Sequence, residues 1–150
     1  MVAVAAITGR TLRIKVCDGA TPTEVFTEDC WINTERGIEF ASDVTSVLVP
    51  DCDDVDEAGW NQITKDGLNA TITGAGVMHT ESTEDWYEWY TLDLAKNLQI
   101  MVDTPAASGG GHWAGAFKLT GFTVTGPSSD LSTTDNTLMS HGPVVWVPAV

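Results

Sequence analysis

Four aspartates crowd one short stretch, Asp51, Asp53, Asp54 and Asp56, with Glu57 directly behind them. Carboxylates at that density suggest a calcium loop, which needs oxygen ligands at its first, third and fifth positions and glycine at the sixth. Counted from Asp51, the fifth position is Val55 and the sixth Asp56, so the pattern fails and a solvated acidic loop is expected instead. His79, His112 and His141 are scattered; none belongs to an HExxH helix or stands at zinc spacing from Cys17, Cys30 or Cys52. A serine nucleophile would want the sharp GxSxG turn, which does not occur, and Ser140 beside His141 is adjacency only. Gly74-Ala75-Gly76 lacks the third glycine of a dinucleotide fingerprint, because His79 stands in its place. Ser108-Gly109-Gly110-Gly111 has neither the lysine nor the helix of a phosphate cradle, and reads as a flexible loop tip. No catalytic residue, cofactor or metal ion is expected, and the chain does not read as an enzyme.

Stepping up from those residues, 150 positions with 43% hydrophobic residues, 19% charged residues and six Trp describe one packed domain over 1–150. That composition excludes a disordered or collagen-like chain. The 21 Asp and Glu against 7 Lys and Arg give a net charge of −14, a surface that repels phosphate. Any DNA partner is therefore expected to pass without specific binding. Three cysteines with no CxxC pair argue against a secreted disulfide framework and for inert thiols in a reducing cytosol. The apolar start, Val2 to Ile7, lacks the charged beginning and the length of a signal peptide. No run approaches the ~18 apolar residues of a membrane span, so no membrane anchoring is expected.

Alternation marks the strands. Leu12, Ile14 and Val16 alternate with polar neighbours up to a turn at Asp18-Gly19. Val25 to Trp31 and Ile38 to Ser42 read as two more strands, with residues 33–37 as a hairpin-like connection. Leu68, Ala70 and Ile72 alternate until Gly74 and Gly76 weaken or bend the strand. Leu98, Ile100 and Val102 follow. From Trp113 the apolar phase is odd at Phe117 and Leu119 and even at Phe122 and Val124, which predicts a bulge near Gly121. Asp130 to Met139 and Val144 to Val147 read as separate final strands, because Gly126-Pro127 and Gly142-Pro143 interrupt the chain.

One segment has the helical period. Ser82 and Asp85 approximate a capping box, Trp86, Trp89, Tyr90 and Leu94 recur on one face, and Lys96 sits where the dipole favours a cation. The spacing predicts a helix over about 83–96, packed on a sheet through those four side chains. Between Ala41 and Gly67 the pattern is poor, so 43–66 is expected to be a long irregular loop.

The order of these segments resembles the major tail tube protein of long-tailed bacteriophages and of phage-derived gene transfer agents. Gly9 to Val16 followed by Asp18-Gly19 is similar to that family's opening strand and turn. Trp60-Asn61-Gln62-Ile63, then Gly67, then Leu68 to Gly76 is similar to its tryptophan after a loop and the strand that follows. Thr73-Gly74-Ala75-Gly76-Val77, ahead of a short helix and a further strand, is the nearest local match. The resemblance covers residues 9–126.

That resemblance implies a mainly β fold, a small antiparallel β-sandwich or barrel with one flanking helix, similar to the tube of type VI secretion. It implies six copies closing into a ring and rings stacking into a virion tail tube, assembled from subunits made in the bacterial host cytoplasm, through which double-stranded DNA leaves the capsid. Its partners would be copies of itself and other tail proteins: tape measure, tail terminator and distal tail. Heterologous contacts can both close around a ring and stack openly along an axis, and joining strands between copies removes exposed sheet edges. Val47, Leu48, Val49, Asp53, Asp54, Asp56 and Trp60, together with the arm 1–8, are then the candidate contacts between subunits or rings. The competing reading is a monomeric β-sandwich module that recognises a carbohydrate or a protein through exposed Trp; a small β-barrel hydrolase is a distant third.

Overall fold

The computed structural model describes residues 9–17, 25–28, 31–78 and 80–150. The alternating segments form seven strands: β1 (Leu12–Cys17), β2 (Phe26–Glu28), β3 (Glu35–Val49), β4 (Trp60–Val77), β5 (Lys96–Val102), β6 (Gly111–Thr125) and β7 (Thr133–Pro148). One helix, α1 (Thr80–Thr91), joins β4 to β5. The strands make a single sheet in the order β2-β1-β5-β6-β7-β4-β3. Its β1–β2, β1–β5, β5–β6, β6–β7 and β4–β7 ladders are antiparallel. The fold is mainly β with one helix, as the alternation predicts.

Two expectations about organisation are corrected. Residues 43–66 are not a long irregular loop, since 43–49 belong to β3, 60–66 belong to β4, and only 50–59 connect them. Nor does the chain form one compact unit: Phe40–Asn69 is a unit by itself, and the chain up to Glu39 with Ala70–Val150 is the other. The cause is strand length. At 15 and 18 residues, β3 and β4 far exceed the usual five or six, and no residue of Phe40–Asn69 belongs to the core.

The core lies on one face of the larger unit. Residues paired directly across antiparallel strands share a face, so Ile14 opposite Ile100, Leu119 opposite Leu138, and Leu138 opposite Ile72 form one apolar layer. Phe117, Leu98, Trp31, Trp86 and Trp89 complete it. The predicted phase change in β6 is present: Leu119 pairs with Leu138 and Gly121 with Thr137, leaving Thr120 as the bulged residue. One extra residue flips parity, which is why Phe122 returns to the core side.

At the C-terminus the two expected strands are one. Gly115 pairs with Val144 and Phe117 with Ser140, so His141, Gly142 and Pro143 bulge opposite Ala116. Gly142 has φ +103°, a conformation glycine adopts without strain, and the bulge is where a strand tolerates a proline's missing N–H. Gly126-Pro127 instead turns β6 into β7, with Asp130 N–H donating to the Pro127 carbonyl at 3.3 Å. The region is therefore one continuous strand pair, interrupted by bulges at Thr120 and at 141–143. Near the start, β2 is only Phe26–Glu28 and pairs with β1, so 33–37 is not a hairpin joining it to β3.

Candidate assembly surface

The first structural demand comes from Trp31, which is wholly buried. Its ring stacks on Trp86 at 5.9 Å and meets Phe122 edge-on at 6.1 Å. A buried indole N–H needs an acceptor, and Trp31 Nε1 donates to Asn136 Oδ1 at 2.6 Å. Asn136 Nδ2 in turn donates to the Gly74 carbonyl at 3.2 Å, and Thr134 Oγ1 donates to the Trp31 carbonyl at 3.2 Å. Gly74 and Gly76 do not weaken β4, which runs on to Val77. They make room: a Cβ on Gly76 would lie 2.2 Å from the Trp31 carbonyl oxygen, and one on Gly74 2.5 Å from Ile32 Cγ2. The glycine motif is thus a seat for the Trp31-Ile32 turn.

The helix starts and stops earlier than 83–96. It spans Thr80–Thr91, and Leu92 N–H closes on the Glu88 carbonyl at 3.1 Å. Trp86 and Trp89 are buried on the sheet. Tyr90 is half-exposed and touches Phe122 edge-on at 5.8 Å. Leu94 is corrected: it lies beyond the helix with its side chain half-exposed, and contributes its carbonyl, which accepts Trp89 Nε1–H at 2.8 Å. Lys96 belongs to β5 and places its ammonium 5.0 Å from the Trp89 ring centre.

The seven residues expected at contacts between copies all fall on the unit Phe40–Asn69. Val47, Leu48 and Val49 end β3, Asp53, Asp54 and Asp56 lie in the connection, and Trp60 opens β4. All seven are exposed, Trp60 at 87%. Phe40, Val44, Ile63 and Leu68, missed at the sequence level, are exposed on the same two strands. Period two places Phe40, Val44 and Leu48 on one face of β3 and Val47 and Val49 on the other. Such a pair of strands buries too little of itself to be stable alone. Within the connection, Asp51 and Asp54 accept the N–H groups of Asp53 and Asp56 at 2.9 and 3.2 Å, so two of the acids build turns. The arm 1–8 lies outside the described residues.

Two ion pairs are present in the larger unit among the described residues. Arg13 Nε contacts Asp103 Oδ2 at 3.2 Å, and Lys118 Nζ donates to Asp93 Oδ1 at 2.6 Å. The Lys118 hydrogen bond, with its charge, holds the Asp93 carboxyl below its ordinary value of 3.8. Ser140 Oγ accepts the Ala70 N–H at 3.0 Å, and His141 opens the bulge opposite Ala116. His79 and Cys30 lie outside the described residues; Cys17 is buried and Cys52 exposed.

The sequence matches no family model and no curated protein. Solved structures do match. A chain in the tail of an empty gene transfer agent particle, solved with C6 symmetry, aligns over 95% of this chain and 99% of that one, with TM-score 0.74 and 19% identity. The chain has the fold of a tail tube protein. The SPP1 tail tube aligns over 97% of this chain and 81% of that one at TM-score 0.66 and 8% identity. A chain of the PVC sheath-tube complex, an extracellular contractile injection system, covers 96% and 93% at TM-score 0.60 and 15% identity. The tail-tube fold thus persists where little sequence does, and the resemblance seen in the short motifs holds at the level of the fold. No helix among the described residues is long and apolar enough to cross a membrane.

Proposed function

We propose that this chain is the structural subunit of a tail tube: six copies close into a ring, and rings stack into the conduit through which double-stranded DNA leaves a virion. The observation that carries the reading is the Phe40–Asn69 unit, which displays nine large apolar side chains to solvent on a fold shared with tail tube proteins. A monomer gains nothing from such an element. A neighbouring copy that covers Val47, Leu48, Val49 and Trp60 recovers about 25 cal/mol for each Å² of apolar surface removed from water. Chains of this fold also occur in an anti-feeding prophage baseplate and tube-terminating cap, which supports contacts with other tail proteins, such as terminator, distal tail and tape measure, at the ends of a tube.

The test is negative-stain microscopy and sedimentation of concentrated protein. Rings or filaments are expected. A sharp monomer at every concentration, with affinity for a glycan or peptide, would favour the binding-module reading instead. The chemistry assigned is structural, and loss of assembly is the phenotype that matters.

A further inference from the structure

Copies that close a ring or stack along an axis meet through unlike patches, so a surface that inserts needs a different surface that receives it. On the unit Phe40–Asn69 the inserting group is Trp60, 87% exposed, more than any other aromatic side chain among the described residues. On the larger unit the end of the helix offers a receiver. Where α1 stops, residues 90–93 and the β6 bulge at 118–120 flank an open hollow of about 550 Å³, within the ~300–1,000 Å³ of clefts that hold ligands. Its apolar lining is Leu119, which is buried, with Leu92 and Tyr90, which are half-exposed. Its polar lining is rich in acceptors. Thr91 Oγ1 donates to the Glu88 carbonyl at 2.9 Å and Thr120 Oγ1 to the Thr137 carbonyl at 3.1 Å, which leaves both hydroxyl oxygens able to accept. The Asp93 carboxylate has a second oxygen besides the one that Lys118 Nζ holds at 2.6 Å.

We infer that Trp60 of one copy seats in this hollow of a second copy, which makes the end of α1 the receiving surface of the assembly. The inference rests on the tube reading, which names the strands that insert but no surface that takes them. An indole is the complement of the lining: a large apolar plate with one N–H to donate. Lys118 adds a cation for its ring face. Charge permits the approach, because the Asp93–Lys118 pair is neutral in sum and residues 58–64 around Trp60 carry no charge. Each chain carries both the tryptophan and the hollow, so the contact repeats from copy to copy, as a ring or a stack requires. A tryptophan held in a pocket is also the kind of residue that dominates interface energetics. Seating it covers Leu92 and Tyr90 as well.

The experiment is a double-mutant cycle on the full chain, read as the critical concentration for sedimentable tubes. Trp60→Ala removes the inserting group, and Thr120→Arg fills the hollow from an exposed bulge position. Each should raise the critical concentration by about 30-fold, the loss expected of an interface hot spot. The double variant should stay within about threefold of either single one, whereas independent effects would multiply to about a thousandfold. Trp60→Phe, which keeps an aromatic plate and loses the N–H, should fall between wild type and Trp60→Ala. Urea midpoints equal to wild type establish that the variants fold, and Leu92→Lys blocks the same hollow if Thr120→Arg shifts its midpoint. Effects that multiply, or blocked-hollow variants that assemble at the wild-type concentration, would overturn the inference and leave the tube reading standing. Wild-type protein that forms no rings or filaments by microscopy at any concentration would instead remove the tube reading, and this inference with it.

Discussion

Asn136 is the residue on which the seat of Trp31 depends, since its one side chain satisfies the indole N–H and the Gly74 carbonyl together. Each buried polar group left without a partner costs about 1–3 kcal/mol. Asn136→Ala should therefore destabilise the fold by roughly 2–5 kcal/mol, read as a lower urea midpoint with unchanged slope; a shift within error would mean water replaces the amide. None of this was legible in the sequence, because Trp31 and Asn136 stand 105 positions apart and neither belongs to a local pattern. Asp93 is a different case. Its folded carboxyl titrates below the unfolded one, so the stabilisation from Lys118 is present above the ordinary carboxylate range and is lost as pH falls through the depressed folded value. Asp93→Asn should flatten that part of the acid limb of stability, measured as urea midpoint against pH. An unchanged limb would mean the pair contributes nothing in solution, as many exposed pairs do.

At the scale of elements, alternation was a reliable guide wherever one strand face is buried. It located β1, β5 and the β6 bulge, because Ile14, Ile100 and the Leu119-to-Phe122 phase change each report a core on one side only. It located Ile38–Ser42 of β3 and Leu68–Ile72 of β4 but failed for 43–49 and 60–66, where apolar residues fall on both faces and polar ones interrupt them, so the period-two signal cancels. The same two-faced pattern that hid those parts of the strands is what suits them to the contact between copies proposed above. Trp60→Ser with Val47→Ser should leave the unfolding midpoint of the monomer within about 0.5 kcal/mol of wild type, since exposed positions cost little, yet prevent polymerisation. Assembly of that variant at the wild-type concentration would show that the Phe40–Asn69 unit is not an interface. Shortening the connection by deleting 51–59 should give the same separation of folding from assembly. The helix ran to the wrong residue for a related reason: Leu94 continues the helical spacing, but its carbonyl is needed by the Trp89 indole and the chain has already turned at Leu92 and Asp93.

For the whole molecule the governing quantity is charge. In the proposed ring, six copies at −14 each would bring together about −84, and seven of the 21 acidic residues lie within 40–69 against one basic residue, Lys65. The surface proposed to join copies is therefore apolar and acidic at once: burial of Val47, Val49 and Trp60 draws copies together while Asp53, Asp54, Asp56 and Glu57 repel. The two terms respond oppositely to salt. Apolar burial is insensitive to modest salt or strengthened by it, whereas repulsion between exposed carboxylates is screened over ~10 Å at 0.1 M and ~3 Å at 1 M. Raising NaCl from ~20 to ~300 mM at fixed protein concentration and neutral pH should thus increase the fraction assembled, read by light scattering and sedimentation. Asp53→Asn/Asp56→Asn should assemble at low salt to the extent wild type reaches at high salt, because it removes repulsion without touching the apolar contacts. Tubes that dissolve as salt rises would mean that ion pairs between copies, drawing on Arg36, Lys65 or Lys15, hold the assembly, and the apolar unit would then be secondary.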